Sequence, residues 1–259
     1  MNNPEVRRSR AMTTATPTAE HLDESADMQA HGHKVRFLAS VASADEAAIV
    51  ASAGADLIDC KDPTAGALGA LPPEAVRDIA SVLAHTMSRA RLSATIGDVE
   101  ADGTIWTTAA TAMAKAGADF VKIGVFGGCD PRPAIEQIGR ADLGRTRLVG
   151  VLLADRAPDF ALIETMGRAG FAGVMLDTAG KSGRALPDAM GPDVLAAFLA
   201  EARRCGLFAG FAGSLAVRHV EPLVALGPDI LGFRGALCAG HQRAAALDPE
   251  RVHAVRDAI

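Results

Sequence analysis

The sequence predicts a single (β/α)₈ barrel over residues 34–259, behind a polar leader over residues 1–33. Three observations carry that prediction. From Val35 onward, β-rich runs alternate with helical patterns eight times. Such alternation implies parallel pairing, and eight units imply a closed barrel. The length, 259 residues, suits one barrel domain. A weak internal repeat is also present: "AGADLIDCK", "AGADFVKIG", "AGFAGVMLD" and "LGPDILGFR" each run from a helix-ending glycine into an even-numbered strand. An open doubly wound sheet is the alternative.

Taken in order, the leader has no apolar periodicity and mixed charge, the composition of a disordered extension. It lacks the apolar core of a secretory signal, and its acidic residues argue against a transit peptide. Met12 and Met28 are alternative starts. The first strand is expected in "VRFLASV", and the "SADE" after it reads as a capping box, with Ser43 as N-cap and Glu46 reaching back. The second and third strands lie in "ADLIDCK" and "LSATIG", with Pro72 and Pro73 opening the helix between them. "DFVKIGVF", "RLVGVLLA" and "GVMLDT" supply the fourth to sixth. The helix "GPDVLAAFLAEARRCG" ends in glycine before the seventh strand, "FAGFAGS". "DILGFRGAL" is the eighth, and Pro249 starts the closing helix.

Strand residues two apart share a face. Counted from the repeat glycines Gly54, Gly117, Gly170 and Gly227, and past the Asp56, Asp119 and Asp229 that precede three of the strands, the polar residues fall only at the fifth or seventh position. They are Asp59 and Lys61, Lys122, Asp177, and Arg234. All five are thereby predicted to converge on the carboxyl-end mouth, where barrel active sites sit. Charges at the end of an apolar strand are costly unless paired or used.

Composition narrows the function. A net charge of −5 gives no reason to expect nucleic acid or an anionic membrane, and no apolar window is long enough to cross one. Cys60, Cys129, Cys205 and Cys238 form no C-x-x-C pair and read as reduced thiols of a cytoplasmic protein. The histidines are scattered, with His31 and His33 the one close pair, so no metal site is expected.

Cation usage points to chemistry. There are 21 arginines and only five lysines, yet Lys61 and Lys122 stand at strand ends and Lys181 follows the sixth strand. Only lysine can lose its proton and attack a carbonyl. Mouth ion pairs, Lys61 with Asp59 and Lys181 with Asp177, are the plainer reading. The alternative is imine chemistry on an aldehyde or ketone, with the carboxylates moving protons. Glycines in "FAGSLA" and "FRGALCAG" suggest a phosphate on the last two loops. Gly213, Ser214 and Gly235 would allow close approach, and Arg234 would supply a fork. "PTAGALGA" after Lys61 is either a mobile lid or an ordinary turn.

Together, "LIDCKDP…GALGA", "LSATIGD", "VKIGVFG", "MLDTAGKSGRAL", "FAGSL" and "GFRGALC" resemble the (5-formylfuran-3-yl)methyl phosphate synthases, in order across the barrel. The resemblance implies condensation of two glyceraldehyde 3-phosphate molecules to a phosphorylated furan aldehyde, with loss of phosphate and water, in methanofuran biosynthesis. It implies Lys61 as Schiff-base nucleophile, Asp59 as its acid/base neighbour and Lys122 as a second amine. Asp177 and Lys181 would serve elimination and ring closure. No metal or organic cofactor is implied.

The leader and the "AGHQRAA" loop depart from the family pattern, so His241 and Arg243 receive no role. An alanine- and arginine-rich chain without tyrosine suits a GC-rich bacterium, and with the resemblance a methylotroph. A class I aldolase or dehydratase acting on another sugar phosphate is the nearest rival, and a non-catalytic phosphosugar-binding protein is another. A homo-oligomer is expected, of an order the sequence does not define.

Overall fold

The computed structural model describes residues 34–126, 128–180 and 184–259. The leader and Lys181 lie outside them. Eight parallel strands, β1 (Arg36–Val41), β2 (Leu57–Cys60), β3 (Arg91–Thr95), β4 (Phe120–Gly124), β5 (Arg147–Leu153), β6 (Gly173–Asp177), β7 (Phe208–Phe211) and β8 (Ile230–Phe233), close in sequence order, with β8 pairing back to β1. The barrel is thus closed and not an open sheet.

The outer layer is helical. It comprises α1 (Ala44–Ser52), α2 (Pro73–Ala84), α3 (Gly103–Lys115), α4 (Arg132–Ile138) and α5 (Ala161–Arg168), then the short α6 (Leu186–Ala189), α7 (Pro192–Arg204), α8 (Val220–Val224) and α9 (Pro249–Ala258). Pro73, Pro192 and Pro249 occupy first-turn positions, where a missing N–H costs nothing. The four repeat glycines all take positive φ, between 75° and 104°, turning each helix end into an even strand. That conformational need is the physical content of the sequence repeat.

Alternation across the strands builds two cores. Ile58, Cys60, Val121, Leu176 and Phe211 face the helices, while Leu38, Leu57, Phe120, Val149, Met175 and Phe208 fill the interior. Phe120 and Phe208 meet edge to face at 5.9 Å at the barrel floor. Cys60 packs among apolar neighbours, and burial pushes its thiol well above the usual range. It is a core side chain and no nucleophile.

The first helix start differs from its expected form. Ser43 Oγ does accept from the Glu46 N–H at 3.3 Å, but the Glu46 carboxylate passes the cap and takes the Ala42 N–H at 2.7 Å. It then pairs with Arg234, 188 residues away. A local sequence signal was therefore recruited into a tertiary contact.

Candidate active site

Strand register brings the functional groups together. Parallel pairing sets Ser40 opposite Asp59 and Asp59 opposite Ser93, placing three inward polar residues at one level. Thr95 is level with Lys122 on β4, and Asp177 ends β6 beside Leu153. Asp59, Lys61, Lys122 and Asp177 are buried, at 0, 7, 5 and 5 % exposure. With Ser40 and Ser214 they line a cavity of about 610 Å³ at the carboxyl end. A larger cavity, about 900 Å³, opens at the opposite face among Arg36, Arg91 and Arg147. It contains none of the lysines or carboxylates just named, so the smaller cavity is the candidate active site.

The ion pairs are crossed. Lys122 Nζ donates to Asp59 Oδ2 at 2.6 Å, and Lys61 Nζ to Asp177 Oδ2 at 3.1 Å. The plainer reading's pairing of Lys61 with Asp59 does not form, and its pairing of Lys181 with Asp177 lies outside the described residues. Two residues along a strand separate Lys61 from Asp59 by about 6.6 Å, so Asp59 lies one layer deeper, within reach of Lys122. Asp59 also accepts from Ser40 Oγ (3.1 Å) and Ser93 Oγ (2.6 Å), and Asp177 accepts the Thr178 N–H at 2.7 Å. Two cations and two anions thus form one buried cluster, each satisfied by a partner. Burial holds the Lys122 amine below the ordinary lysine range, and the Lys61 charge pushes the same way, against Asp59.

Ser40 and Ser93 were not singled out from sequence, because serine in a strand carries no signal of its own. Only the register shows that both hydroxyls flank Asp59.

The stretch after Lys61 is a pinned loop. Asp98 accepts the Ala67 and Leu68 N–H groups at 2.8 and 2.7 Å, and Gly69 O accepts from Thr95 Oγ1 and the Asp62 N–H. Leu68 is inserted into the interior core. On the far side, Gly213 and Ser214 both take positive φ, 98° and 51°. A Cβ at Gly213 would press on Thr178. Holding a serine in the left-handed region costs about 1–3 kcal/mol, a strain that tends to gather at ligand clamps. Ser214 and Gly235 border the cavity, and no acceptor among the described residues takes their N–H groups or that of Gly213.

Arg234 is a correction. Its Nη1 and Nη2 grip Glu46 at 2.5 and 3.1 Å, Nη1 also reaches Ser40 O, and Nε and Nη2 reach the carbonyls of Arg243 and Ala245. All five N–H groups are accounted for, so it braces the loop after β8 and offers no free fork to a phosphate. Arg243, given no role by the sequence, also lines the cavity. Among the described residues, no group of three or more His, Cys, Asp or Glu side chains could hold a metal ion.

The fold is that of the (β/α)₈-barrel class, and the paired lysines and carboxylates at its carboxyl end are the residue types that carbonyl and proton-transfer chemistry uses in barrel enzymes. Solved barrels share the fold. The 3-hexulose-6-phosphate synthase from Salmonella typhimurium superposes with a TM-score of 0.62 at 19 % identity, over 86 % of this chain and 98 % of that one. The phosphoribosyl anthranilate isomerase from Thermus thermophilus gives 0.59 at 16 %, over 86 % and 98 %.

The family model of the 4-HFC-P synthases matches residues 37–256, and the chain belongs to that family. The (5-formylfuran-3-yl)methyl phosphate synthase of Methanocaldococcus jannaschii is 37 % identical over 219 residues, 80 % of this chain and 92 % of that protein. A Methylorubrum extorquens protein, whose name carries the same activity in qualified form, is 46 % identical over 219 residues, 84 % of this chain and 88 % of its own length. Among the described residues no helix is long and apolar enough to cross a membrane.

Proposed function

We propose that this protein condenses two molecules of glyceraldehyde 3-phosphate into (5-formylfuran-3-yl)methyl phosphate through a lysine imine, as a cytoplasmic lyase of methanofuran biosynthesis. The observation that carries the reading is the crossed pair of buried ion pairs, Lys61 with Asp177 and Lys122 with Asp59. Family membership supports the choice of product, and the triose phosphate substrate is part of the proposal.

Lys61, as the free amine, adds to the carbonyl carbon of one triose phosphate. Asp177, within 3.1 Å of that nitrogen, takes and returns the protons as the carbinolamine loses water. The protonated imine is an electron sink, so loss of a proton from the adjacent carbon gives an enamine. Its carbon attacks the aldehyde of the second triose, forming the new C–C bond. Lys122 and Asp59, with Ser40 and Ser93 orienting the carboxylate, form the second proton relay for elimination and ring closure. By atom balance one phosphate and two waters leave and no oxidant is consumed. Gly213, Ser214 and Gly235 would hold a substrate phosphate on backbone N–H groups. Lys181 would join the proton transfers, and it lies outside the described residues. The reaction assigns no role to nucleic acid, membrane or an added cofactor. The chain would work as a homo-oligomer.

The test is borohydride trapping with glyceraldehyde 3-phosphate, followed by intact mass and peptide mapping. A triose-phosphate adduct on Lys61, absent in Lys61→Arg, together with furan absorbance when borohydride is omitted, is the expected result. An adduct on Lys122 would move the nucleophile to the amine with the depressed pKa. Neither adduct nor furan would refute the reading and favour a binding protein.

A further inference from the structure

The proposed condensation brings two phosphates into one cavity, and the backbone cradle of Gly213, Ser214 and Gly235 lies at the β7–β8 side alone. Arg234 cannot serve the other, because its donors are committed to Glu46 and to carbonyls. Its effect is indirect. By gripping Arg243 O and Ala245 O it sets the path of the loop after β8. That loop carries the Arg243 side chain across the mouth to the loop after β2, where Nη2 donates to Gly66 O at 3.3 Å.

The Arg243 guanidinium is half-buried and borders the same cavity as Lys61 and Asp177. Gly66 O is its one acceptor among the described residues, and at 3.3 Å a long one, so most of the planar fork is open to a ligand. The carboxylates around it do not compete well. Asp177 is bonded to Lys61 and the Thr178 N–H, Asp98 to the Ala67 and Leu68 amides, and Asp62 to Thr64. Burial works against the Arg243 charge, which an arriving dianion would offset.

We infer that Arg243 is the phosphate-binding residue for the second triose phosphate, the one attacked by the enamine, on the β2 side of the mouth and apart from the backbone cradle. The inference rests on the proposed condensation. It divides the cavity: the imine-bound triose is anchored at β7–β8, and its partner is anchored by a fork strapped between the β8 and β2 loops. Separate seats for the two phosphates leave the two carbonyl ends to meet at Lys61.

The experiment compares full-length wild type with Arg243→Leu and Arg243→Lys on glyceraldehyde 3-phosphate. In Arg243→Leu the borohydride-trapped adduct should form within twofold of the wild-type yield, which also reports an intact fold. Furan formation at low triose phosphate should fall at least 30-fold, through a rise in apparent KM. Arg243→Lys should recover part of the loss, since a point charge replaces a fork. Furan formation within threefold of wild type in Arg243→Leu would overturn the inference. So would loss of adduct and furan together, which would place Arg243 at the first triose. A wild type yielding neither adduct nor furan would refute the proposed condensation itself, and this inference with it.

Discussion

Replacing Lys122 by methionine should be among the most destabilising single changes that leave the interior volume nearly unaltered. The side chains of Lys122 and Asp59 are 6 and 1 % exposed and lie 2.6 Å apart. Removing the ammonium leaves the Asp59 carboxylate with the hydroxyls of Ser40 and Ser93, at 3.1 and 2.6 Å, and no cation in contact. Breaking a buried pair from one side costs about 3–5 kcal/mol, because a charge remains in a water-poor site. For a domain of this size that lowers Tm by roughly 10 °C. Asp59→Asn, which strands the ammonium instead, should fall in the same range. The double variant Asp59→Asn/Lys122→Met leaves no uncompensated charge and should come within about 1–2 kcal/mol of wild type. Urea unfolding followed by circular dichroism at neutral pH measures the three differences. A single variant within about 1 kcal/mol of wild type, or a double variant as unstable as the two singles combined, would refute the coupling.

Three further outcomes are expected. Burial holds Lys122 below the ordinary lysine range, so the folded state binds its proton less well than the unfolded chain does; this group's contribution to stability should rise with pH between the depressed value and about 10.4 and level off above. Carbon-13 NMR of the reductively methylated lysines should show one resonance, absent in Lys122→Met, titrating early. Gly66→Ala should cost about 1–3 kcal/mol, because Gly66 holds φ +84° and an added Cβ would overlap Asp98 Oδ2; thermal melts read the loss, and a rise in KM reads the displaced loop. Arg234→Lys loses the two-point contact with Glu46 and the hold on Arg243 O, so it should destabilise by about 2–3 kcal/mol and raise KM while imine trapping on Lys61 persists, as melts and intact mass would show.

The barrel was legible because its signals are local. Glycines that end helices, prolines that start them and apolar runs of strand length report on their own neighbourhoods, and each matches an element of the fold. Period-two spacing was enough to send Asp59, Lys61, Lys122 and Asp177 to one mouth. Spacing along one strand could not say which ammonium meets which carboxylate. That choice depends on depth in the barrel, set by register across three strands, and it reversed the partners.

Arg234 and Glu46 show the limit most clearly. In sequence, one looks like a phosphate fork and the other like half of a capping box, and in the fold they satisfy each other. Nothing in either local pattern carries the contact, because the closure of β8 against β1 is what brings residues 188 positions apart to 2.5 Å. The chain by itself determined the eightfold alternation and the kinds of group available at the mouth, since both follow from local periodicity and side-chain chemistry. Barrel closure decided how those charges pair, which arginine is spent on structure and which remains open to a ligand, because such choices belong to distances between strands and loops that no single segment contains.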